Sequence, residues 1–461
     1  MRHLQVLTAI FVVAGCVAVS APPASAADSK RLTQDYVREP LPPGIQVVVS
    51  DLEGPVFADA SGHTLYQWPI HSTRNGAPGE AAGKIQCYDD HYRVTAGFTS
   101  PYPGGTLLPD ADTRPNCIQH WPPVLAPADA KPVGNWSLLE RKDGTKQWAY
   151  KRAALYTSHL DKRPGETNGG TTRESWDALS EGAPRRPLMP TAALPAQFKV
   201  SSSAQGRLLQ NASGFSVYAY DKDTATKSNC YAGCLDEWTP VEAPEAAAGQ
   251  GEWSIIQRTG GARQWTYRGM PLYVHKTDSK PRSYVGSDTP GWRNVFMQKA
   301  PELPKGFQRV DTRSGQVVAD ASGKTIYFYS CVEDTPDTLY CDTPADPQVY
   351  RFAVCGAGDP DRCVKTFPYV IAEKDAKTDN VTWNTHDIDP KTGRYVKAGT
   401  PGSLHIWTYR DRPVYTFSGD EQPGDIWADS WGQDHGQRNG FKALWLRDDF
   451  RFNDSSEADY P

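Results

Sequence analysis

Three stretches of this chain repeat one another, and a repeat restricts the fold to a string of like units. Each copy opens on a small-residue turn and a strand ending in tyrosine: Ala60-Ser61-Gly62-His63-Thr64-Leu65-Tyr66, Ala212-Ser213-Gly214-Phe215-Ser216-Val217-Tyr218, and Ala321-Ser322-Gly323-Lys324-Thr325-Ile326-Tyr327. A cysteine then precedes an aromatic by four residues in Cys117 and Trp121, Cys234 and Trp238, Cys363 and Phe367. The second halves align more tightly still. Gln147-Trp148-Ala149-Tyr150, Gln264-Trp265-Thr266-Tyr267 and Ile406-Trp407-Thr408-Tyr409 correspond. Eight residues beyond each of those tryptophans stands a tyrosine (Tyr156, Tyr273, Tyr415), then an aspartate (Asp161, Asp278, Asp420) and a proline (Pro164, Pro281, Pro423). The copies close at Trp176-Asp177-Ala178-Leu179, Trp292-Arg293-Asn294-Val295 and Phe441-Lys442-Ala443-Leu444.

Within a copy the periodicity is two. Aromatics at i and i+2, as in Tyr218-Ala219-Tyr220 and Trp265-Thr266-Tyr267, share one face of a strand. Asp143-Gly144 and Gly260-Gly261 occupy matching places between such runs and mark hairpins. With 39 Gly, 38 Pro, 14 Trp and 22 Tyr against 4 Met, turn-rich β structure fits better than a helical bundle. The expected fold is all-β: three tandem antiparallel β-meander repeat domains, stapled by disulfides. The expected divisions are a signal peptide over 1–26, an N-terminal segment over 27–43, and repeat domains over 44–182, 196–299 and 305–461. Pro-rich stretches at Ala183–Pro195 and Ala300–Pro304 stand between the copies as short, stiff linkers.

The beginning of the chain reads as an export signal. Arg2 and His3 precede an apolar run from Leu4 to Val19, and Ala24-Ser25-Ala26 offers a cleavage site before Ala27. Val13-Ala14-Gly15-Cys16 also fits a lipobox, so a lipid anchor on Cys16 is the second reading. The expected location is therefore secreted or periplasmic. Without Cys16, eight of the nine cysteines remain, an even number that suits an oxidising compartment. Because Cys117, Cys234 and Cys363 are equivalent, each needs an upstream partner. The expected pairs are Cys87–Cys117, Cys230–Cys234 and Cys355–Cys363, with Cys331–Cys341 by elimination.

The pattern Tyr-x-aromatic-x-x-Asp (Tyr218-Ala219-Tyr220-Asp221-Lys222-Asp223), the spacing Cys230-x3-Cys234-x3-Trp238, and Pro271-Leu272-Tyr273 through Asp278 resemble the bacterial secreted-repeat lipoproteins. That resemblance implies export and a repeat fold, and it implies no reaction. Its motif positions are Tyr66, Trp68, Tyr218, Tyr220, Asp223, Tyr273, Asp278, Tyr415, Phe417 and Asp420. Two copies depart from it: His71 and Val332 stand where the second copy has Asp223.

No arrangement of residues singles out a catalytic centre. The Gly-rich phosphate loop, the Gly-x-Ser-x-Gly elbow and the His-Glu-x-x-His helix do not occur. A net charge of −5 with both signs interspersed gives no footprint for nucleic acid. Asp387-Ile388-Asp389-Pro390-Lys391-Thr392-Gly393 resembles a calcium loop, but lysine stands at a ligand position, and a hairpin turn is the expectation. His71 and His120 are the candidates for a metal in the first copy, although a bridged Cys117 would be a poor ligand beside them. Repeated aromatics and aspartates are expected to build core and corners. The expectation is an exported protein without a cofactor or transmembrane span. It would bind a partner, glycan or surface of the envelope without turnover, and the alternative is a metal- or redox-linked protein using the histidines of the first copy.

Overall fold

The computed structural model describes residues 35–67, 83–85, 87–88, 117–169, 186–278, 284–331, 348–429, 431 and 439–448. Its regular structure is almost wholly antiparallel strands. The three copies are built alike. Each opens with a hairpin: Gln46–Ser50 on Gly54–Ala58, Phe198–Ser203 on Gly206–Asn211, and Phe307–Thr312 on Gly315–Asp320. The Ala-Ser-Gly turn follows, and its chemistry is local. Asp59 and Asp320 accept two backbone N–H groups each across that turn, and Asn211 accepts one. Gly62 and Gly323 hold φ of 88° and 91°, and a Cβ on either would lie 2.8 or 2.9 Å from Cβ of Pro164 or Pro423. The two punctuation marks of the repeat, its glycine and its late proline, are thus packed face to face.

The second half of each copy is another hairpin: Trp136–Glu140 on Lys146–Tyr150, Trp253–Gln257 on Arg263–Tyr267, and Trp383–Ile388 on Leu404–Tyr409. Each then reverses through two residues at positive φ, the geometry of the hairpin turn that follows strand twist. These are Lys151 and Arg152, Arg268 and Gly269, Arg410 and Asp411. Only one of the six is glycine.

Tyrosine meets tyrosine where the halves join: Tyr66 with Tyr156, Tyr218 with Tyr273, and Tyr327 with Tyr415. In the second copy the central pair of strands is flanked on one side by Trp238–Pro240 and on the other by Trp292–Asn294. Each flanking strand pairs with the central strand of the opposite half. The backbone closes two equivalent triangles. Leu209 donates to Val295, Val295 to Val217 and Val217 to Leu209; Trp265 donates to Val241, Val241 to Leu272 and Leu272 to Trp265. The last residue of each half completes the other half's triangle.

The same register shows which described strand pairs at the edge of the first copy's sheet. Tyr66 pairs with Pro187 as Tyr218 pairs with Asn294 and Tyr327 with Ala443. Leu188 is therefore the counterpart of Val295 and Leu444, and it donates to Leu65 and accepts from Phe57. The first copy's sheet is closed by Arg186–Pro187, beyond residue 182, and Trp176–Leu179 lie outside the described residues. A strand in that place needs only an apolar residue to enter the core, which leaves no aromatic signature to read.

The large aromatics fill the interior. Trp121, Trp136, Trp148, Trp238 and Trp265 are buried together with the six seam tyrosines. Disulfides join Cys230 to Cys234 and Cys355 to Cys363. Cys87 is also disulfide-bonded. Cys341 and the side chains of Cys117 and Cys331 lie outside the described residues. A short helix precedes the aromatic in every copy, at Cys117–His120, Cys234–Glu237 and Pro360–Thr366, and the third copy adds Val349–Gly356, which its disulfide ties to Pro360–Thr366. Asp359 caps Pro360–Thr366 by accepting from Asp361 and Arg362, with Pro360 in the first turn. Asp389 accepts from Lys391 and Thr392 inside a hairpin turn, which accounts for the sequence that resembles a calcium loop.

Candidate functional site: the tyrosine seam

The described tyrosines and aspartates of the motif converge on the seam between the two halves of a copy. Tyr66 donates its hydroxyl to Asp161 at 2.8 Å, Tyr218 to Asp278 at 2.9 Å and Tyr327 to Asp420 at 2.7 Å. Each hydroxyl also accepts a backbone N–H, from Gly169, Gly286 and Ala428 respectively. A Cβ on Gly286 would come within 2.8 Å of the Tyr218 ring and 2.7 Å of the Trp238 ring, so glycine lets that loop approach.

Burial dominates the electrostatics. It pushes all three of these tyrosines upward, with the facing carboxylate adding to the shift. Asp161 is raised to about 8 by burial, although Tyr66 and the Asn168 amide both donate to it. Asp420 is raised to about 6 by the same cause.

The second copy carries the contact twice. Tyr273 donates to Asp223 at 2.6 Å, the mirror of Tyr218 on Asp278. Tyr273 is pushed up to about 12 by burial and then by Asp223, and burial also raises Asp223. In the third copy Tyr415 instead faces Tyr369, whose hydroxyl accepts from Arg351 at 2.9 Å. Tyr220 stacks on Trp292, and Phe417 packs against Phe367. Trp68 and His71 lie outside the described residues, as does the side chain of His120.

Sequence reasoning missed the buried arginines beneath the seam. Arg141 donates to Gln147 at 2.6 Å and Arg258 to Gln264 at 2.7 Å; each glutamine then donates to a strand carbonyl, of Leu155 or Leu272. Arg258 also holds Ser228 and the Cys230 carbonyl. At the matching places of the third copy stand Ile388 and Ile406, both fully buried. Both partners change together, which avoids leaving one buried polar group without the other. The signal was present in Ile406 replacing glutamine, but its arginine partner lay outside the aligned motif.

Among the described residues, a histidine–carboxylate cluster lies in the third copy. His405 Nδ1 meets Asp387 at 2.7 Å, and Ser403 donates to the same carboxylate, not to the imidazole. Nε2 of His405 is enclosed and makes no hydrogen bond. A nucleophile–base–orienter line therefore does not form there. Among the described residues, no group of three or more His, Cys, Asp or Glu is placed to hold a metal ion. No helix among them is long and apolar enough to cross a membrane.

Residues 137–180, 199–242 and 254–292 match the family described as a secreted repeat of unknown function. Those three segments are similar to that secreted repeat. No curated protein and no solved structure matches it. Where the family matches fall is informative. Two of the three lie in the second copy, one on each half, and the other on the second half of the first copy. The family's unit is thus half of a copy, and Tyr218 through Asp223 answers to Tyr273 through Asp278. The seam is the place where two secreted repeats exchange tyrosine–aspartate contacts and closing strands.

Proposed function

We propose that this exported repeat protein works by binding, without turnover, in the cell envelope or extracellular space, and that its contacts are made by what the copies do not share. The observation that carries this reading is the fate of the shared polar groups. Their hydroxyls and carboxylates are spent on one another across the seam, inside the units. The third copy, in contrast, sets Trp427 and Trp431 outward, 56% and 43% exposed. Trp431 is held in place by its indole N–H on the Val354 carbonyl and by packing against Phe417. Exposed, oriented indoles suit a flat apolar face such as that of a sugar ring.

Sedimentation of the mature chain with cell-wall polysaccharide tests this. Retention that is lost in Trp427→Ala/Trp431→Ala at unchanged melting temperature supports the reading. A hydrolase or oxidoreductase rate abolished by one His→Ala substitution would overturn it.

A further inference from the structure

The segment ahead of the first copy makes two contacts of the same kind. Asp35, itself buried, accepts from the hydroxyl of Tyr267 at 3.0 Å and from Arg268. Four residues later, Glu39 accepts from the hydroxyl of Tyr150 at 3.0 Å and from Asn135 at 3.2 Å. Tyr150 and Tyr267 are equivalent positions of the first and second copies, each ending the Gln-Trp-x-Tyr strand. One short stretch of chain therefore places a carboxylate on the same tyrosine of two different domains.

The apolar side chains divide the same way. Tyr36 enters the core of the second copy with Trp253 and Tyr267, whereas Leu41 packs against the core of the first with Trp136 and Tyr150. The changeover falls at Val37 and Arg38, which are exposed. Backbone bonds fasten the strap to the connection between the copies: Val37 donates to Thr191 at 2.8 Å, and Ala193 donates to Asp35 at 2.7 Å. Trp253 of the second copy donates its indole N–H to Ala193 as well.

We infer that residues 35–41 are a strap that locks the first two copies in one arrangement, by docking Asp35 and Glu39 on equivalent tyrosines of adjacent domains. The two docking sites act on each other through the strap. Releasing one carboxylate lowers the effective concentration of the other at its own site, because the link between them is short. A merely local contact would have no such reach.

Amide hydrogen exchange on the full mature chain separates the two cases. In Glu39→Ala, which alters a half-exposed side chain of the first copy's contact, exchange should rise on the order of tenfold at the amides of Ala193 and Arg268, on the second copy's side. In Asp35→Asn it should rise similarly at Lys151, whose amide donates to Asn135 in the first copy. Changes confined to the domain where the altered carboxylate docks would overturn the strap. Should Asp35→Asn fail to fold, Glu39→Ala decides alone, since its readout at Ala193 and Arg268 already crosses between copies.

Discussion

Tyr218 and Tyr273 lie opposite each other on neighbouring antiparallel strands, and each gives its hydroxyl proton to the aspartate of the other's half, Tyr218 to Asp278 and Tyr273 to Asp223. A single half therefore supplies a donor and an acceptor that it cannot itself join. Removing the Tyr218 hydroxyl leaves the buried carboxylate of Asp278 short of a donor. Tyr218→Phe should lower stability by about 1–3 kcal/mol. Denaturant unfolding reads this as a lower midpoint at unchanged slope.

The arginine–glutamine couple makes a prediction from one copy about another. Arg258→Ile alone leaves the Gln264 side chain without its buried partner and should cost about 1–3 kcal/mol. Arg258→Ile/Gln264→Ile, which writes the third copy's Ile388 and Ile406 into the second, should cost less than the sum of the two single changes. The Ser228 and Cys230 contacts of Arg258 are lost in either case, so recovery is partial. Strict additivity in a double-mutant cycle would show that the couple is no unit.

Trp265 is 2% exposed and packs edge-on against Trp253 and Phe198. Trp265→Ala should cost about 3–5 kcal/mol, the usual range for emptying a large buried aromatic site. An unchanged melting temperature would make it a surface contact.

Asp161 sets a pH dependence. Its folded pKa, about 8, lies above its unfolded value near 3.9, so the folded state holds this proton more tightly. The stabilisation is complete below the unfolded pKa and is lost as pH rises through the folded one. Stability should therefore fall between about pH 4 and pH 8, with Asp420 contributing up to about 6. In Asp161→Asn the decline above pH 6 should flatten, which melting curves across that range would show.

Much of the architecture is legible in the residues. Asp-Gly and Gly-Gly place the second-half hairpins, and the glycine of the opening turn and the late proline recur because they touch. The disulfides Cys230–Cys234 and Cys355–Cys363 follow from aligning the copies. What the residues hide is long-range. Nothing local in Val241 or Val295 says that each closes the other half's triangle. Nor does Asp35 announce a partner in Tyr267, more than two hundred residues on. The half-copy unit was obscured because its second half writes His275 where the first writes Tyr220, and because the third copy loses Asp223 to Val332. The helix Val349–Gly356 falls in an insertion that the other copies do not share, where comparison between copies has nothing to compare.

The tyrosines and aspartates of the second copy's seam join two secreted repeats into one unit. A double-mutant cycle of Tyr218→Phe and Asp278→Asn, read by denaturant unfolding of the mature chain, measures that joining directly. The expected coupling energy is about 0.5–3 kcal/mol. Two effects that simply add, with no coupling between them, would contradict it.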